Sequence, residues 1–259
     1  MASAKAIIIG VDAGPAIREY GLPELTYAED GARQIAEYAT ALRYDVTTLV
    51  GPEATYQNVD GALREAADPV IGWETVLVVF SGHGVRKDSG MRCDYNEFDE
   101  HWCLHNELMV DDHLLMRMQA FAEGTYLFVV ADCCFAGGGS GWEGAPMRKL
   151  LRHAANLVSG FVPGLPKFWE NDVDAGRKLV RKDAAFNCSH PKAQFLLLAS
   201  SDQDAAEAGP FMKAFLTAWQ EPAARSTFRA FRDRMLKLGG RPVLLPSDSP
   251  LLDMPAFAP

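Results

Sequence analysis

Short apolar runs without polar alternation recur along the chain and predict strands that are buried on both faces of a sheet. They lie at residues 5–11, 75–80, 127–131 and 194–199, and residues 45–50 predict a further strand after the first of them. Between the first three predicted strands, apolar residues recur at helical spacing over residues 30–43 and 56–67. This alternation of strands and helices predicts an α/β fold with a mainly parallel sheet and helices on both faces.

The last part of the chain completes the same pattern. Helical spacing returns at residues 211–219 and 226–238, two glycines end the second helix, and residues 241–245 predict a last strand. We therefore divide the chain into residues 1–141, a connector over 142–192, and residues 193–259, with both outer parts contributing to one sheet. A chain of 259 residues with 48% hydrophobic residues is long enough for a sizeable core.

Two of the buried strands end in residues that carry chemistry. Residues 75–80 run into Ser-Gly-His-Gly at 81–84, and residues 127–131 run into Asp-Cys-Cys at 132–134, followed by glycines. In open α/β sheets, ligands bind at the carboxyl ends of parallel strands. A histidine and a cysteine at that edge are the minimum set for a thiol nucleophile with its own base.

Together the two motifs resemble those of the caspase-like cysteine peptidases, in which the histidine precedes the cysteine by about 50 residues. Asp132 stands at the glutamine position of the caspase signature Gln-Ala-Cys-x-Gly. This departure favours the metacaspases and related prokaryotic caspase homologues, whose motif usually reads Asp-Ser-Cys-His-Ser-Gly. The resemblance covers most of the chain outside residues 142–192. It implies a caspase-like three-layer sandwich with a six-stranded core sheet.

The resemblance also assigns catalytic roles. Cys134, two positions after the acid, would be the nucleophile, and His83 would be the general acid and base. Cys133 would point to the opposite side of the strand and pack as a small hydrophobe. The backbone N–H groups of Gly84 and Cys134 are the candidate oxyanion donors. We expect a Cys–His dyad without a third member, and the chemistry requires no cofactor.

Acids near the nucleophile predict cleavage after basic residues. Asp132 would attract arginine or lysine at the substrate residue before the cut (P1) and repel aspartate. The resemblance adds Asp30 as a second acid and Ser81 as a serine of the same pocket. Two carboxylates can hold a guanidinium through bidentate bonds, so we expect arginine to be preferred over lysine. On the alternative interpretation, Asp30 caps its helix and Asp132 only binds nearby backbone N–H groups.

Residues 87–112 are rich in charged and aromatic side chains. One interpretation is a solvated hairpin followed by a helix N-terminus, where two acids are favourable. The other is a calcium site, because metacaspases often carry one in this region and calcium takes about six to eight oxygen ligands. The acid that follows the cysteine in such sites is missing here. The candidate ligands are Asp94, Asp99, Asp111 and Asp112, and calcium would act as an activator.

The connector carries several basic residues. In caspase-like enzymes the linker between the two halves lies here and is often cut during activation, so we expect the chain to be latent until it is cleaved or receives a signal. The alternative is a solvated insertion with ordinary basic side chains. The residues of the candidate processing region are Arg148, Lys149, Arg152, Arg177, Lys178, Arg181 and Lys182.

Charge and cysteine usage narrow the function classes. A net charge of −9 argues against a nucleic-acid surface, and no apolar run approaches the roughly 20 residues that span a membrane. Five cysteines, an odd number, favour a reducing compartment, hence the cytoplasm.

The predicted function is a cysteine endopeptidase acting on proteins or peptides with a basic P1 residue. An activating protease or a regulatory protein would be a further partner. Two alternatives stay open: an inactive caspase-like scaffold or binding module, and another thiol hydrolase on the same fold.

Overall fold

The computed structural model describes residues 3–88, 98–135, 193–200, 209–245 and 249–259. Within these residues one sheet contains eight strands. In chain order they are β1 (Ala4–Gly10), β2 (Asp45–Val50), β3 (Thr75–Asp88), β4 (Phe98–Cys103), β5 (Leu108–Val110), β6 (Tyr126–Phe135), β7 (Gln194–Ser200) and β8 (Pro242–Leu245).

Six α-helices are described around this sheet. They are α1 (Pro15–Glu19), α2 (Ala28–Ala41), α3 (Tyr56–Ala66), α4 (Asp111–Gln119), α5 (Pro210–Gln220) and α6 (Phe228–Lys237). Short 3₁₀ turns cover Gly51–Glu53, Ala224–Ser226 and Pro250–Asp253. Among the described residues, no helix combines the length and the apolar character needed to cross a bilayer.

The strand order confirms the predicted core. Six strands follow the order β2-β1-β3-β6-β7-β8, in which the first five are parallel and β8 is antiparallel to β7. The hairpin β4–β5 extends the sheet beside the end of β3. Because β7 and β8 pair onto the strands of the first half, both outer parts of the chain build one sheet.

Two clusters of buried side chains cover opposite faces of the sheet. The cluster on the α3 face includes residues of α1, α3 and α4, and the cluster on the α2 face includes residues of α2, α5 and α6. Along β3, Phe80 belongs to the α3 face and Val79 to the α2 face. Side chains alternate along a strand, so Ser81 and His83 continue on the α2 face.

The start of α2 and the end of β3 differ from the prediction for physical reasons. Helix α2 begins at Ala28 because the carboxylate of Asp12 accepts hydrogen bonds from the N–H groups of Tyr27 and Ala28, at 3.1 and 2.8 Å. The alternative that Asp30 caps this helix is therefore wrong, since Asp30 lies inside its first turn. Strand β3 continues to Asp88 because its polar end pairs with β4.

The predicted hairpin before α4 is confirmed, but it is not solvated throughout. Trp102, Cys103 and Met109 are fully buried, and the ring of Trp102 stacks on Phe80 with centroids 4.5 Å apart. The hairpin therefore packs against the α3 face of the sheet. This contact anchors the strand end that carries His83.

Candidate active site

The register of β3 and β6 brings the two predicted motifs side by side. Ser81 pairs with Asp132, and His83 pairs with Cys134. Both pairs lie at the carboxyl edge of the parallel strands, as the sequence motifs predict. Ser81 and Asp132, which pair across the two strands, share the α2 face of the sheet.

Ser81 and Asp132 form a buried polar pair. The hydroxyl of Ser81 donates a 3.2 Å hydrogen bond to Oδ2 of Asp132, and the two residues are 0% and 3% exposed. A carboxylate this deep needs polar or charged partners to offset its lost hydration. The pair can therefore form the polar floor of a site at this edge.

The orientation of His83 is set by a main-chain carbonyl. Its Nε2 lies 2.7 Å from the carbonyl oxygen of Pro23. A carbonyl only accepts hydrogen bonds, so Nε2 carries the proton and Nδ1 keeps its lone pair. Nδ1 is buried and has no hydrogen-bond partner within the described part of the chain. This nitrogen can act as a base.

The charge state of His83 follows from its burial. The residue is 5% exposed. Burial lowers the pKa of His83 below its ordinary value, because the imidazolium form loses hydration, while the bond to Pro23 raises the pKa by a smaller amount. The neutral imidazole is therefore favoured. A neutral ring with a free nitrogen can accept a proton from a neighbouring thiol.

Pro23 lies on the loop between α1 and α2, and Asp12 holds that loop. The carbonyl of Asp12 accepts a 2.8 Å hydrogen bond from Leu25, and its carboxylate binds the first two N–H groups of α2. Asp12 follows Val11, whose N–H donates to the carbonyl of Ser81 at 3.0 Å. Asp12 therefore ties the Pro23 loop to the strand end that carries His83.

Glycine at position 82 has a packing reason. A Cβ at Gly82 would lie 3.0 Å from the ring of Phe80 and 3.3 Å from the carbonyl oxygen of Val11. Both neighbours are held by the sheet, so a larger residue would push β3 away from β1. The glycine keeps Ser81 and His83 in register with β6.

The surroundings of each cysteine bear on whether its thiol can act as a nucleophile. Cys133 is buried with Ala131 in the α3-face cluster, in keeping with its predicted role as a small hydrophobe. The backbone of Cys134 pairs with His83, but its side chain lies outside the described residues. The other cysteine described, Cys103, is also buried, and burial raises its pKa to about 12. A thiol with so high a pKa is a poor nucleophile.

Asp30 stands apart from the buried pair. Its side chain is 76% exposed and forms an ion pair with Arg33 at 3.0 Å. It lines an open groove of 440 Å³ between α2 and α5, together with Tyr27, Gln34 and Lys213. Of the two predicted pocket acids, Asp132 is the buried one and Asp30 is solvent-exposed.

The side chains predicted to bind calcium are not among those that the structure describes. Asp94 lies outside them, as do the side chains of Asp99, Asp111 and Asp112. Asp111 begins α4, which confirms the predicted helix N-terminus. Within the described ranges no group of three or more acidic, histidine or cysteine side chains could hold a metal. Calcium binding stays a prediction, and the whole candidate processing region, residues 148–182, also lies outside the described residues.

The fold and the edge site define a caspase-like α/β sandwich with its histidine and cysteine motifs on adjacent strands. The family model of the caspase domain matches residues 3–241, and the chain belongs to this family. The crystal structure of protein GSU0716 from Geobacter sulfurreducens is similar, with a TM-score of 0.70 and 22% identity over 97% of each chain. That similarity concerns the fold. A comparison with curated proteins gave no significant match.

Proposed function

We propose that this protein is a cysteine endopeptidase that cleaves proteins after basic residues, arginine before lysine, with Cys134 as nucleophile and His83 as acid and base. The observation that carries the proposal is the pairing of His83 with Cys134, combined with a buried Nδ1 on the histidine that has no hydrogen-bond partner among the residues that the structure describes. The family membership supports a peptidase and hence protein substrates.

The chemistry follows from the state of His83. Its neutral ring takes the thiol proton of Cys134, and the thiolate attacks the substrate carbonyl. The imidazolium then gives that proton to the leaving amine, and the ring activates the water that hydrolyses the thioester. The Pro23 carbonyl keeps Nε2 protonated and thereby leaves Nδ1 as the nitrogen that takes the proton of the thiol. Pro23 thus supplies through its main chain the third member that the sequence motifs lack.

The preference for basic substrates rests on Asp132. Asp132 is buried and accepts a hydrogen bond from the Ser81 hydroxyl, and a carboxylate in this position favours a cationic substrate side chain over an anionic one. An arginine side chain reaching this edge would form a charge-assisted bond with Asp132, whereas an aspartate would be repelled. Asp30, being exposed, would contribute at the rim of the pocket.

Peptides that carry a fluorophore after arginine, lysine or aspartate test the proposal directly. We expect wild-type protein to cleave the arginyl peptide fastest, the lysyl peptide more slowly and the aspartyl peptide negligibly. Cys134→Ala, with Cys133→Ala as its matched control, should abolish turnover. A wild-type protein that cleaves none of the three, before and after limited proteolysis and with calcium added, would point to the binding-module alternative.

Calcium is proposed only as an activator. The same assay, run in a calcium chelator and then with calcium restored, measures this effect. Substitution of Asp111 and Asp112 by Asn should remove any calcium response without changing the residual activity.

A further inference from the structure

Ser200, the last residue of β7, makes a specific contact with the end of β6. Its side chain is buried, and its hydroxyl donates a 3.2 Å hydrogen bond to the carbonyl oxygen of Cys133. The backbone pairing between β6 and β7 reaches Ala131 and Ala199. Beyond these two residues the backbone ladder between β6 and β7 has ended, and the Ser200 hydroxyl provides a contact between the two strands.

The group that Ser200 holds is half of a peptide unit whose other half is the N–H of Cys134. A trans peptide is planar, and its C=O and N–H point in opposite directions. A Cys133 carbonyl directed toward β7 therefore directs the Cys134 N–H toward β3. This N–H is one of the two candidate oxyanion donors.

The second candidate donor is the backbone N–H of Gly84, and it faces β6. The N–H of Val11, next to β1, donates to the carbonyl of Ser81, so the polar backbone groups of Ser81 face away from β6. Backbone groups alternate in direction along a strand, so the N–H of Gly84 faces β6. The N–H groups of Gly84 and Cys134 thus each point toward the neighbouring strand, at the last pairs of the ladder between β3 and β6.

We propose that Ser200 is a positioning residue of the oxyanion hole, an inference that rests on the proposed peptidase function. Attack by the Cys134 thiolate forms the S–C bond and moves the carbonyl π electrons onto oxygen. Once the substrate has opened the last pairs of the ladder between β3 and β6, the two N–H groups stabilise that oxygen until the C–N bond breaks and the proton on His83 passes to the amine. Ser200 touches no reacting atom; it fixes the direction of one donor.

The experiment compares Ser200→Ala with two controls. Ser249→Ala removes another buried serine hydroxyl, one that caps the turn at Leu251 far along the chain, and Ser200→Thr keeps a hydroxyl at position 200. Four quantities are measured for each: kcat and KM for the arginyl peptide, the inhibition constant of a peptidyl-arginine aldehyde, and the rate of inactivation by iodoacetamide. The aldehyde forms a tetrahedral adduct that needs the oxyanion donors, whereas alkylation by iodoacetamide does not.

We expect Ser200→Ala to lower kcat and weaken aldehyde inhibition by the same factor, about 10- to 100-fold, below the usual effect of deleting a donor outright. KM and the iodoacetamide rate should stay near wild type, Ser200→Thr should restore most of kcat, and Ser249→Ala should have no effect. If Ser200→Ala is unfolded at the assay temperature, Ser200→Cys takes its place.

Two results would overturn the inference while leaving the peptidase proposal intact. The first is unchanged kcat and aldehyde inhibition in Ser200→Ala. The second is a loss of the same size in kcat, in affinity for the aldehyde and in the rate of inactivation by iodoacetamide. Failure of the wild-type protein to cleave any peptide would instead overturn the proposed function itself.

Discussion

Ser81 and Asp132 hydrogen-bond across two neighbouring parallel strands, and the register of those strands alone makes the contact. A slip of one residue along β6 would put Cys133 beside Ser81 and turn Asp132 to the opposite face. The same slip would separate His83 from Cys134. The buried pair and the proposed dyad therefore depend on a single register.

Asp132 and Asp30 should contribute unequally to substrate recognition. Asp132→Asn should lower kcat/KM for the arginyl peptide by about 100- to 1,000-fold, a few kcal/mol, because the buried site loses the charge that faces the substrate cation. Asp30→Asn should cost less than about tenfold, since its carboxylate is exposed and already paired with Arg33. Steady-state kinetics with arginyl and lysyl peptides measure both.

Equal and large losses in the two variants would instead place both acids in one pocket. Unchanged kinetics in Asp132→Asn would remove this residue from recognition. Because the Ser81 hydroxyl can still donate to an Asn oxygen, the substitution tests the charge more than the fold.

The two adjacent cysteines should respond differently to substitution. Cys134→Ala and His83→Ala should abolish cleavage, and Cys133→Ala should keep most of it, with some loss of stability because a buried side chain is removed. Kinetics, thermal unfolding and mass mapping of a peptidyl chloromethyl ketone adduct check these outcomes. An adduct on Cys133 would contradict the assignment.

The pH dependence of activity should reflect the lowered pKa of His83. The free base must accept the thiol proton, so the acid limb of kcat/KM should lie below the ordinary histidine value of about 6.5. A pH–rate profile from about pH 5 to about pH 8 measures it. An acid limb above the ordinary value would mean that His83 is held in its charged form.

Stability should change with pH in a definite direction. The unfolded chain protonates His83 at a higher pH than the folded chain, so the free energy of unfolding rises with pH across that window. The contribution is complete above about pH 6.5 and is lost as the pH falls toward the folded pKa. Melting temperatures of wild type and His83→Gln should therefore converge on acidification. Parallel curves would show that His83 does not titrate differently on folding.

Asp12 should support catalysis through the Pro23 loop. Asp12→Ala removes the acceptor for two N–H groups of α2 and should cost about 1 kcal/mol of stability, the usual cost of losing a cap. Because the loop that orients His83 is loosened, we also expect kcat to fall by about tenfold with little change in KM. Asp12→Asn, which keeps an acceptor oxygen, should be close to wild type in both respects.

The kinetic readout separates the two roles of Asp12. A lower melting temperature with an unchanged kcat would mean that Asp12 only caps α2. Iodoacetamide inactivation offers a second check, since a misplaced imidazole should slow formation of the thiolate.

The connector should govern latency. Replacing the seven residues of the candidate processing region by Gln should leave a chain that stays uncut and weakly active, whereas the wild-type chain should be cut there and gain activity. Time courses of activity and gel electrophoresis, started at mixing, measure this. If the variant is as active as wild type from the first seconds, and the wild-type chain is still intact, the connector is a surface insertion without a role in activation.

How far the sequence predicts the structure depends on whether a contact is local. The buried strands were predicted because burial on both faces removes polar alternation, as along β1, which is buried at every residue. Strand β2 begins and ends where predicted, but it lies at the edge of the sheet and is only partly buried. The polar end of β3 carries no such pattern, since it becomes a strand only through pairing, first with β6 and then with β4. The start of α2 was missed for the same reason: its cap comes from Asp12, 15 residues before Tyr27.

The residues of the site also divide into those that the sequence predicts and those that only the fold brings together. Motif spacing predicts His83, Cys134, Asp132 and Ser81 at one edge, because side-chain types and strand ends can be read directly. The contribution of Pro23 could not be read, since any residue offers a carbonyl and only the fold selects one. The only available signal was an acid, Asp12, immediately after the first strand at the same edge.

The ladder between β3 and β6 does not end at His83 and Cys134 but continues to Gly84 and Phe135. The two N–H groups proposed to receive the oxyanion thus lie within a paired stretch of sheet, and a carbonyl oxygen reaches them only where the strands come apart. Fraying of this last rung then becomes part of the activation barrier. Substitutions that strengthen the pairing of Gly84 with Phe135 should raise the melting temperature and lower kcat. At this pair of residues, greater stability therefore means slower turnover.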